Sequence, residues 1–313
     1  MSVKVFIDGS SGTTGLRIAD RLAARPDIEL LSISAEGRKD VNERAKVINS
    51  ADLAFLCLPD AASREVMPLL RPDVKVLDTS TAFRTDAAWD YGFPELKGQK
   101  EKIQNSYRVA VPGCYASGFI SIARPLVELG LAPKDYPFSC TGISGYSGGG
   151  KKMIAQYEAG ERSEELDAPR EYGLNQQHKH LKEMTAITGL AVPPLFTPIV
   201  ADYYSGMVVS VPLYTGMLKK SLTPEELRDF FAEYYGREKF LTVAPFGSEA
   251  ESGGFLSGNA ASGWDGMEIH VTGCEERVLL SARFDNLGKG ASGAAVQCLN
   301  ILLGCEEDKG LCL

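Results

Sequence analysis

Residues 3–15 read VKVFIDGSSGTTG, and this stretch decides the fold of the N-terminal part of the chain. Its β-rich beginning, residues 3–7, predicts a buried strand that ends at a turn. Apolar residues at helical spacing follow from Gly15 until Pro26 ends the helix. A strand, a glycine turn and a helix in this order are typical of the first unit of a parallel α/β sheet.

The glycine turn itself is a candidate phosphate-binding site. Glycines 9, 12 and 15 form the pattern G-x-x-G-x-x-G. Backbone N–H groups and the positive end of the helix dipole can hold a pyrophosphate at such a place. The alternative is a tight turn with a purely structural role. The residues of this turn that we predict to bind the dinucleotide are Gly9, Ser11, Gly12, Thr13, Thr14 and Gly15.

The end of the second predicted strand, residues 28–33, bears on which dinucleotide would bind. An NAD site usually has a carboxylate about 20 residues after the glycines, on the ribose 2′-hydroxyl. Here Ser34 follows the strand, and Arg38 and Lys39 come soon after it. A hydroxyl and two cations suit a 2′-phosphate, which favours NADP over NAD. Glu36 in the NAD-type carboxylate role, or a solvated charged loop, is the alternative.

Further apolar runs extend the fold prediction along the chain. Runs at 53–58 and 74–77 add strands to the parallel sheet. Four β-type runs between 138 and 285 predict an antiparallel sheet, and the small residues of a last helix, 290–304, allow close packing. Thr223, Pro224 and Glu226 predict a helix start with a capping box.

Composition and charge exclude several classes of protein. The 313 residues carry 33 Lys+Arg against 41 Asp+Glu, a net charge of -8, which gives no basic field for nucleic acid. No apolar run approaches the roughly 20 residues that span a bilayer. Seven cysteines without a CxxC pair indicate reduced thiols rather than a disulfide or zinc framework. We therefore predict a cytoplasmic protein without a metal site.

Cys114 differs from the other cysteines in its setting. It follows Pro112-Gly113 and opens a predicted helix, where the dipole favours a thiolate nucleophile. A proton partner must come from the three histidines. His178 and His180 share one face if their segment is extended, with Glu183 placed to orient one of them. A metal at this H-x-H lacks a third ligand, and spacing alone does not rank the two histidines.

Seven blocks of sequence span almost the whole chain. They are GSSGTTG at 9–15, DTSTAFR at 78–84, YGFPEL at 91–96, VAVPGCYASGFISIARP at 109–125, SGYSGGGKK at 144–152, HKHLKEM at 178–184 and DNLGKGASGAAVQ at 285–297. In these blocks, and in their order, the chain resembles the N-acetyl-γ-glutamyl-phosphate reductases. Ser117 and Cys298 stand where threonine and asparagine are usual in that family, and neither position alters the chemistry.

The resemblance implies an α/β fold of the glyceraldehyde-3-phosphate-dehydrogenase type and the shorter of the family's two subgroups. A Rossmann-type NAD(P)-binding domain would comprise 1–113 with 288–313. An α+β catalytic and dimerisation domain, 114–287, would hold a largely antiparallel sheet. The implied reaction is reduction of N-acetyl-L-glutamyl 5-phosphate by NADPH to the 5-semialdehyde and phosphate, in arginine biosynthesis, by a homodimer or homotetramer.

The resemblance also implies roles for individual residues. Cys114 would be the nucleophile, with His180 preferred over His178 as acid/base. Ser144 and Gly145 would contact the cofactor or substrate, and the amide of Asn286 would orient the nicotinamide. Arg84 would meet the substrate phosphate, and Ser80 and Glu183 would line the substrate site. The competing hypotheses are a reductase for aspartyl phosphate or for carrier-bound aminoadipate, and a non-catalytic NADP sensor.

Overall fold

The structure, a computed structural model, describes residues 2–313 and divides into two units. The first unit comprises the chain up to Gly113 together with Ala291–Cys312. The second comprises Cys114–Gly290, with Leu313. Two separate sheets, one in each unit, carry the side chains considered below.

The first unit is built on a six-stranded parallel sheet in the order β2-β1-β3-β4-β6-β5. The strands are β1 Val3–Asp8, β2 Ile28–Leu31, β3 Leu53–Leu56, β4 Lys75–Asp78, β5 Asp90–Tyr91 and β6 Arg108–Ala110. The helices are α1 Thr13–Ala23, α2 Val41–Ser50, α3 Asp60–Val66, α4 Gln99–Gln104 and, from the end of the chain, α9 Gly293–Leu303. All four strands predicted in this part of the sequence are present, and their ends differ by at most two residues.

Both faces of this sheet are covered, which explains why its strands are continuously apolar. Val5 and Ile7 pack into a core that includes the last helix, whereas Phe6 between them packs into a second core with α2. Strands buried on both faces are typical of parallel sheets. The last helix is more buried than an amphipathic surface helix, with Ala295 and Leu299 fully enclosed.

The second unit holds a seven-stranded sheet in the order β11-β12-β13-β10-β7-β9-β8. The strands are β7 Ser139–Gly145, β8 Arg170–Glu171, β9 Leu195–Ala201, β10 Met207–Tyr214, β11 Leu241–Val243, β12 Met267–Gly273 and β13 Arg277–Phe284. Pairs β7–β9 and β11–β12 are parallel and the other four pairs are antiparallel. The predicted α/β fold with a largely antiparallel second sheet is therefore confirmed.

Helices cover one face of this second sheet. They are α5 Cys114–Glu128, α6 Gly150–Tyr157, α7 Leu181–Thr188 and α8 Pro224–Tyr235. Gly118 lets α5 lie close to the sheet, since a Cβ there would come within 2.6 Å of the Val209 side chain. The predicted capping box at Thr223 is confirmed, with both reciprocal hydrogen bonds formed to Glu226.

Candidate active site

The glycine turn of the first unit forms a close backbone loop at the start of α1. Gly9 has a φ of +86°, and a Cβ there would lie 2.3 Å from the Cys57 carbonyl oxygen. A Cβ on Gly15 would lie 2.4 Å from the Gly9 oxygen, so the helix can meet the strand only with glycine at this position. Gly12 caps α1 without a side chain, and the first turn contains no acidic residue. The backbone N–H groups at this end of α1 therefore suit an anion.

The segment after β2 places Arg38 beside a cavity of the first unit, and Lys39 follows directly in the chain. Ser34 accepts a hydrogen bond from the Gly37 N–H at 3.0 Å and so holds the turn that presents Arg38 and Lys39. Arg38 is exposed at this cavity. The cavity is lined by Phe6, Ile7, Ser10, Ala19, Leu30, Leu31, Ser32, Ile33 and Arg38.

The DTSTAFR loop is held together by its own polar side chains. Asp78 accepts hydrogen bonds from the Ser80 hydroxyl at 2.6 Å and from the Ser80 N–H at 2.9 Å. Arg84 is buried and donates to the backbone oxygens of Val111 and Thr79. Both predicted substrate residues thus maintain the loop, and their contact with substrate stays a prediction.

Cys114 is the first residue of α5, the longest helix of the second unit. Its side chain is half-buried, and a Cβ on Gly290 would approach the Cys114 Cβ to 2.8 Å. The helix N-terminus is the place where a thiolate gains most from the dipole. Cys140 is fully buried, which raises the pKa of its thiol. None of the seven cysteines, all of which lie in the described chain, forms a disulfide.

His178 and His180 lie in a turn, so the expectation that an extended segment aligns them is wrong. His180 has φ −79° and ψ −15° and directly precedes α7. Its N–H donates to His178 Nδ1 at 3.1 Å, and the Leu181 N–H donates to the His178 oxygen at 3.0 Å. The imidazole of His178 thus closes the turn, and the two rings meet nearly perpendicularly with centroids 4.7 Å apart.

The two histidines have different surroundings. His180 is 5% exposed, and its Nε2 lies 4.0 Å from Oε1 of the equally enclosed Glu183. His178 is half-buried, and burial together with Lys179 lowers its pKa to about 4. His178 is therefore neutral at pH 7, with Nδ1 used as an acceptor and the proton on Nε2. This difference favours His180 as the residue that exchanges protons.

The low pKa of His178 predicts a stability that depends on pH. The unfolded residue takes up a proton near its ordinary value of 6.5 and the folded residue only near 4. The free energy of unfolding should therefore fall between pH 7 and pH 5, by at most about 2 kcal/mol from this residue. Urea unfolding of the protein and of His178→Gln at both pH values measures the effect. Parallel losses in the two proteins would contradict it.

Two tyrosines beside these histidines escaped the sequence analysis. Tyr115, next to Cys114 on α5, has its ring 6.0 Å from that of His178 and 6.1 Å from that of His180. Tyr172 lies 6.4 Å from Tyr115 and 5.7 Å from His178, measured between ring centroids. Burial raises the pKa of Tyr172 to about 12, so its hydroxyl stays protonated. The tyrosines form one cluster with the two histidines within the second unit. Burial raises the pKa of both tyrosine hydroxyls, and Cys114 lies close enough to both for its charge to raise it further.

Ser144, Gly145 and Asn286 form a second group in the same unit. The Asn286 side chain accepts from the Gly206 N–H at 2.8 Å and donates to the Ser147 hydroxyl at 3.0 Å. A Cβ on Gly145 would lie 2.6 Å from the backbone oxygens of Tyr203 and Tyr204. The amide of Asn286 thus fixes the loop that follows β7, and its contact with a cofactor stays a prediction.

The described residues contain neither a metal-binding cluster nor a membrane-spanning helix. Across residues 2–313, no group of three His, Cys, Asp or Glu side chains is arranged to hold a metal ion. None of the helices in this range is both long and apolar enough to cross a membrane.

Comparison with known families assigns a class to each unit. Residues 4–106 match the family described as semialdehyde dehydrogenase, NAD binding domain, and residues 114–286 match the semialdehyde dehydrogenase dimerisation domain. The aspartate semialdehyde dehydrogenase of Francisella tularensis has the same fold, with a TM-score of 0.72 over 96% of this chain and 100% of that one at 15% identity. The two family matches, which together cover most of the chain, place it in the semialdehyde dehydrogenase class.

Relatives that match nearly the whole chain identify the family within this class. The chain is 49% identical to N-acetyl-gamma-glutamyl-phosphate reductase 2 of Nostoc sp., over 98% of this chain and 99% of that protein. It is 43% identical to the N-acetyl-gamma-glutamyl-phosphate reductase of Burkholderia orbicola, over 97% of this chain and 98% of that protein. The chain belongs to the N-acetyl-gamma-glutamyl-phosphate reductase family.

Proposed function

We propose that the protein reduces N-acetyl-L-glutamyl 5-phosphate to N-acetyl-L-glutamate 5-semialdehyde and phosphate with NADPH, in arginine biosynthesis. Membership of the reductase family over the whole chain supports the substrate and the pathway. The observation that carries the chemistry is a cysteine on the first turn of α5, in one cluster with two histidines. A cytoplasmic location stays a prediction from composition.

The first unit has the features of a dinucleotide-binding domain. Gly9 and Gly15 leave room where any Cβ would clash with backbone, and α1 offers its N-terminus to a pyrophosphate. The hydroxyl of Ser34 and the cations Arg38 and Lys39 suit a 2′-phosphate. These residues fit NADP(H), which when bound supplies a hydride to the acyl carbon. We assign 1–113 with 288–313 to this domain and 114–287 to catalysis and dimerisation.

The choice of NADP over NAD is tested by removing the cations. The double substitution Arg38→Ala/Lys39→Ala should weaken NADP binding roughly 10–100-fold, because charge-assisted hydrogen bonds to the 2′-phosphate are lost. NAD binding should hardly change. Fluorescence titration of both dinucleotides measures the two dissociation constants. Equal weakening toward NAD and NADP would contradict a 2′-phosphate site.

In the second unit, the proposed reaction begins with the sulfur atom of Cys114. The Cys114 thiolate attacks the acyl carbon, a C–S bond forms, and the C–O bond to phosphate breaks, which leaves a thioester and free phosphate. After hydride addition to that carbon, His180 gives a proton to the oxygen. Collapse then returns this proton to His180 as the C–S bond breaks and the aldehyde leaves. Glu183, 4.0 Å from His180 Nε2, is placed to stabilise the protonated imidazole.

The reverse reaction tests the substrate. We expect phosphate-dependent reduction of NADP with N-acetyl-L-glutamate 5-semialdehyde, and much weaker reduction with aspartate semialdehyde. A preference for aspartate semialdehyde would show that the proposed substrate is wrong and would favour aspartyl phosphate instead. No reduction with either aldehyde, combined with tight NADP binding, would favour the carrier-bound aminoadipate or the non-catalytic alternative.

A face of the second sheet supports a homodimer. Helices cover one face, whereas the opposite face exposes apolar side chains from four strands: Ile143, Leu195, Tyr214 and Leu279. An exposed apolar face of this kind is typical of a subunit interface, and a two-fold dimer places the same face of each copy together. The family description of residues 114–286 as a dimerisation domain agrees with this use. Sedimentation equilibrium that finds only monomer would overturn it, and a tetramer would require a further surface.

A further inference from the structure

Arg170, the first residue of the short edge strand β8, lacks the acidic partner that similar arginines have. The other half-buried arginines of the second unit pair with carboxylates: Arg124 with Glu128, Arg228 with Asp229 and Arg283 with Glu268. The Nε of Arg170 is buried and has no hydrogen-bond acceptor among the described residues. A buried N–H without a partner is costly, which indicates that it serves an acceptor that is not part of this chain.

The guanidinium of Arg170 is held in a defined orientation. Its Nη2 donates to the Tyr157 hydroxyl at 3.1 Å, and its central carbon lies 5.5 Å from the centroid of the Tyr157 ring. Tyr157 is itself buried and stacks on Tyr146 with centroids 4.7 Å apart. An arginine fixed on an aromatic ring presents a planar fork suited to a carboxylate.

Strand pairing places Arg170 on the same face of the sheet as the proposed nucleophile cluster. Arg170 pairs with Val200 on β9, and Val200 pairs with Ser144 on β7. These three residues form one row across the sheet.

The neighbouring row contains the active-site aromatic residues. Tyr172 donates its N–H to the Pro198 oxygen at 3.1 Å, and Pro198 pairs with Gly142, whose Cβ position is filled by the Tyr115 ring. Because side chains two residues apart lie on one face of a strand, Arg170 and Tyr172 are neighbours about 7 Å apart.

We propose that Arg170 binds the α-carboxylate of the substrate, an inference that rests on the proposed function. The α-carboxyl carbon of N-acetylglutamyl phosphate lies four carbon–carbon bonds from the reacting carbonyl, about 5 Å in an extended chain. That length is shorter than the step of about 7 Å from the row of Tyr172 to the row of Arg170, and the remainder is within the reach of a hydrogen bond from the guanidinium. A carboxylate there satisfies the buried Nε and makes the site selective for aldehydes that carry the acid group.

The test compares two aldehydes that differ only in this group. N-acetyl-L-glutamate 5-semialdehyde carries the carboxylate, and 4-acetamidobutanal is the same molecule without it. In the phosphate-dependent reaction, Arg170→Ala should lose about 100-fold in kcat/KM for the first aldehyde, largely through KM, and little for the second. Arg170→Lys should retain part of the selectivity, and added guanidine should rescue Arg170→Ala toward the carboxylated substrate alone.

A matched control and two other outcomes make the test decisive. Arg228→Ala removes another half-buried arginine of the same unit and should change neither reaction. If Arg170→Ala and Arg170→Lys lower kcat/KM equally for both aldehydes, Arg170 has a structural role. If the ratio of kcat/KM for the two aldehydes does not change, Arg170 has no role in binding the carboxylate. Either result overturns the inference while leaving the proposed function intact. Failure of the unmodified protein to use N-acetylglutamate semialdehyde would instead overturn the proposed function, and the inference with it.

Discussion

Replacement of Cys114 by serine should lower kcat/KM for N-acetylglutamate semialdehyde by about 10⁴-fold or more, because a hydroxyl at neutral pH is a far weaker nucleophile than a thiolate. The substitution changes one atom at the start of α5 and leaves the glycine turn of the first unit untouched. NADP binding should therefore be unchanged. Steady-state NADP reduction and fluorescence titration of the dinucleotide measure the two quantities.

A cysteine elsewhere in the same unit provides the control. Cys274 is exposed beyond the end of β12, and Cys274→Ser should keep full activity. Residual activity of Cys114→Ser within tenfold of the unmodified protein would contradict covalent catalysis at this residue. It would also favour the alternative of a non-catalytic NADP sensor.

Replacement of His180 by asparagine should reduce kcat by about 10²–10⁴-fold, the range expected for loss of a general acid. Asparagine still has hydrogen-bonding groups but cannot deliver a proton to the oxygen that develops at the acyl carbon. The dependence of kcat on pH should also change, because the group that supplies the proton is lost. Steady-state kinetics over a range of pH, with NADP binding as the check on folding, measure both effects.

The other two histidines serve as comparisons. His178→Gln should be less damaging to kcat, since His178 is neutral at pH 7 and its Nδ1 is engaged by the His180 N–H. His270→Gln alters a residue on β12 whose Nε2 is hydrogen-bonded to Glu268 at 2.7 Å, and it should leave kcat unchanged. Full activity in His180→Asn together with loss in His178→Gln would move the acid/base role to His178.

Much of the framework was predictable because the signals are local. The glycine turn after β1 and the capping box of α8 depend on residues within a few positions of each other, and both occur where predicted. The apolar strands of the first sheet were also predictable, since burial on both faces leaves continuous apolar runs.

Elements that depend on distant partners were not predictable. Strand β9 contains Pro198, which argues against a strand, yet it lies between β7 and β8 in the sheet. The turn at the histidines is different: it depends on a local hydrogen bond from the His180 N–H to the His178 ring, which residue types and spacing alone do not reveal.

Arg170 and Tyr172 gave no usable signal either. Arg170 lies on a strand of only two residues, and Tyr172 follows that strand directly, so the segment is too short for any periodicity. Only the three-dimensional structure relates them to the site: the rings of Tyr172 and Tyr115 lie 6.4 Å apart, and Arg170 shares a row of the sheet with Val200 and Ser144.

The central claim is that the acyl group passes through a thioester on Cys114, and trapping that intermediate tests it most directly. The protein is mixed with N-acetyl-L-glutamyl 5-phosphate without NADPH, quenched in acid and digested, and its peptides are analysed by mass spectrometry. The account predicts an N-acetylglutamyl adduct on the peptide containing Cys114, released by hydroxylamine and absent in Cys114→Ser. An active protein that forms no adduct, or forms it on another residue, would contradict the account.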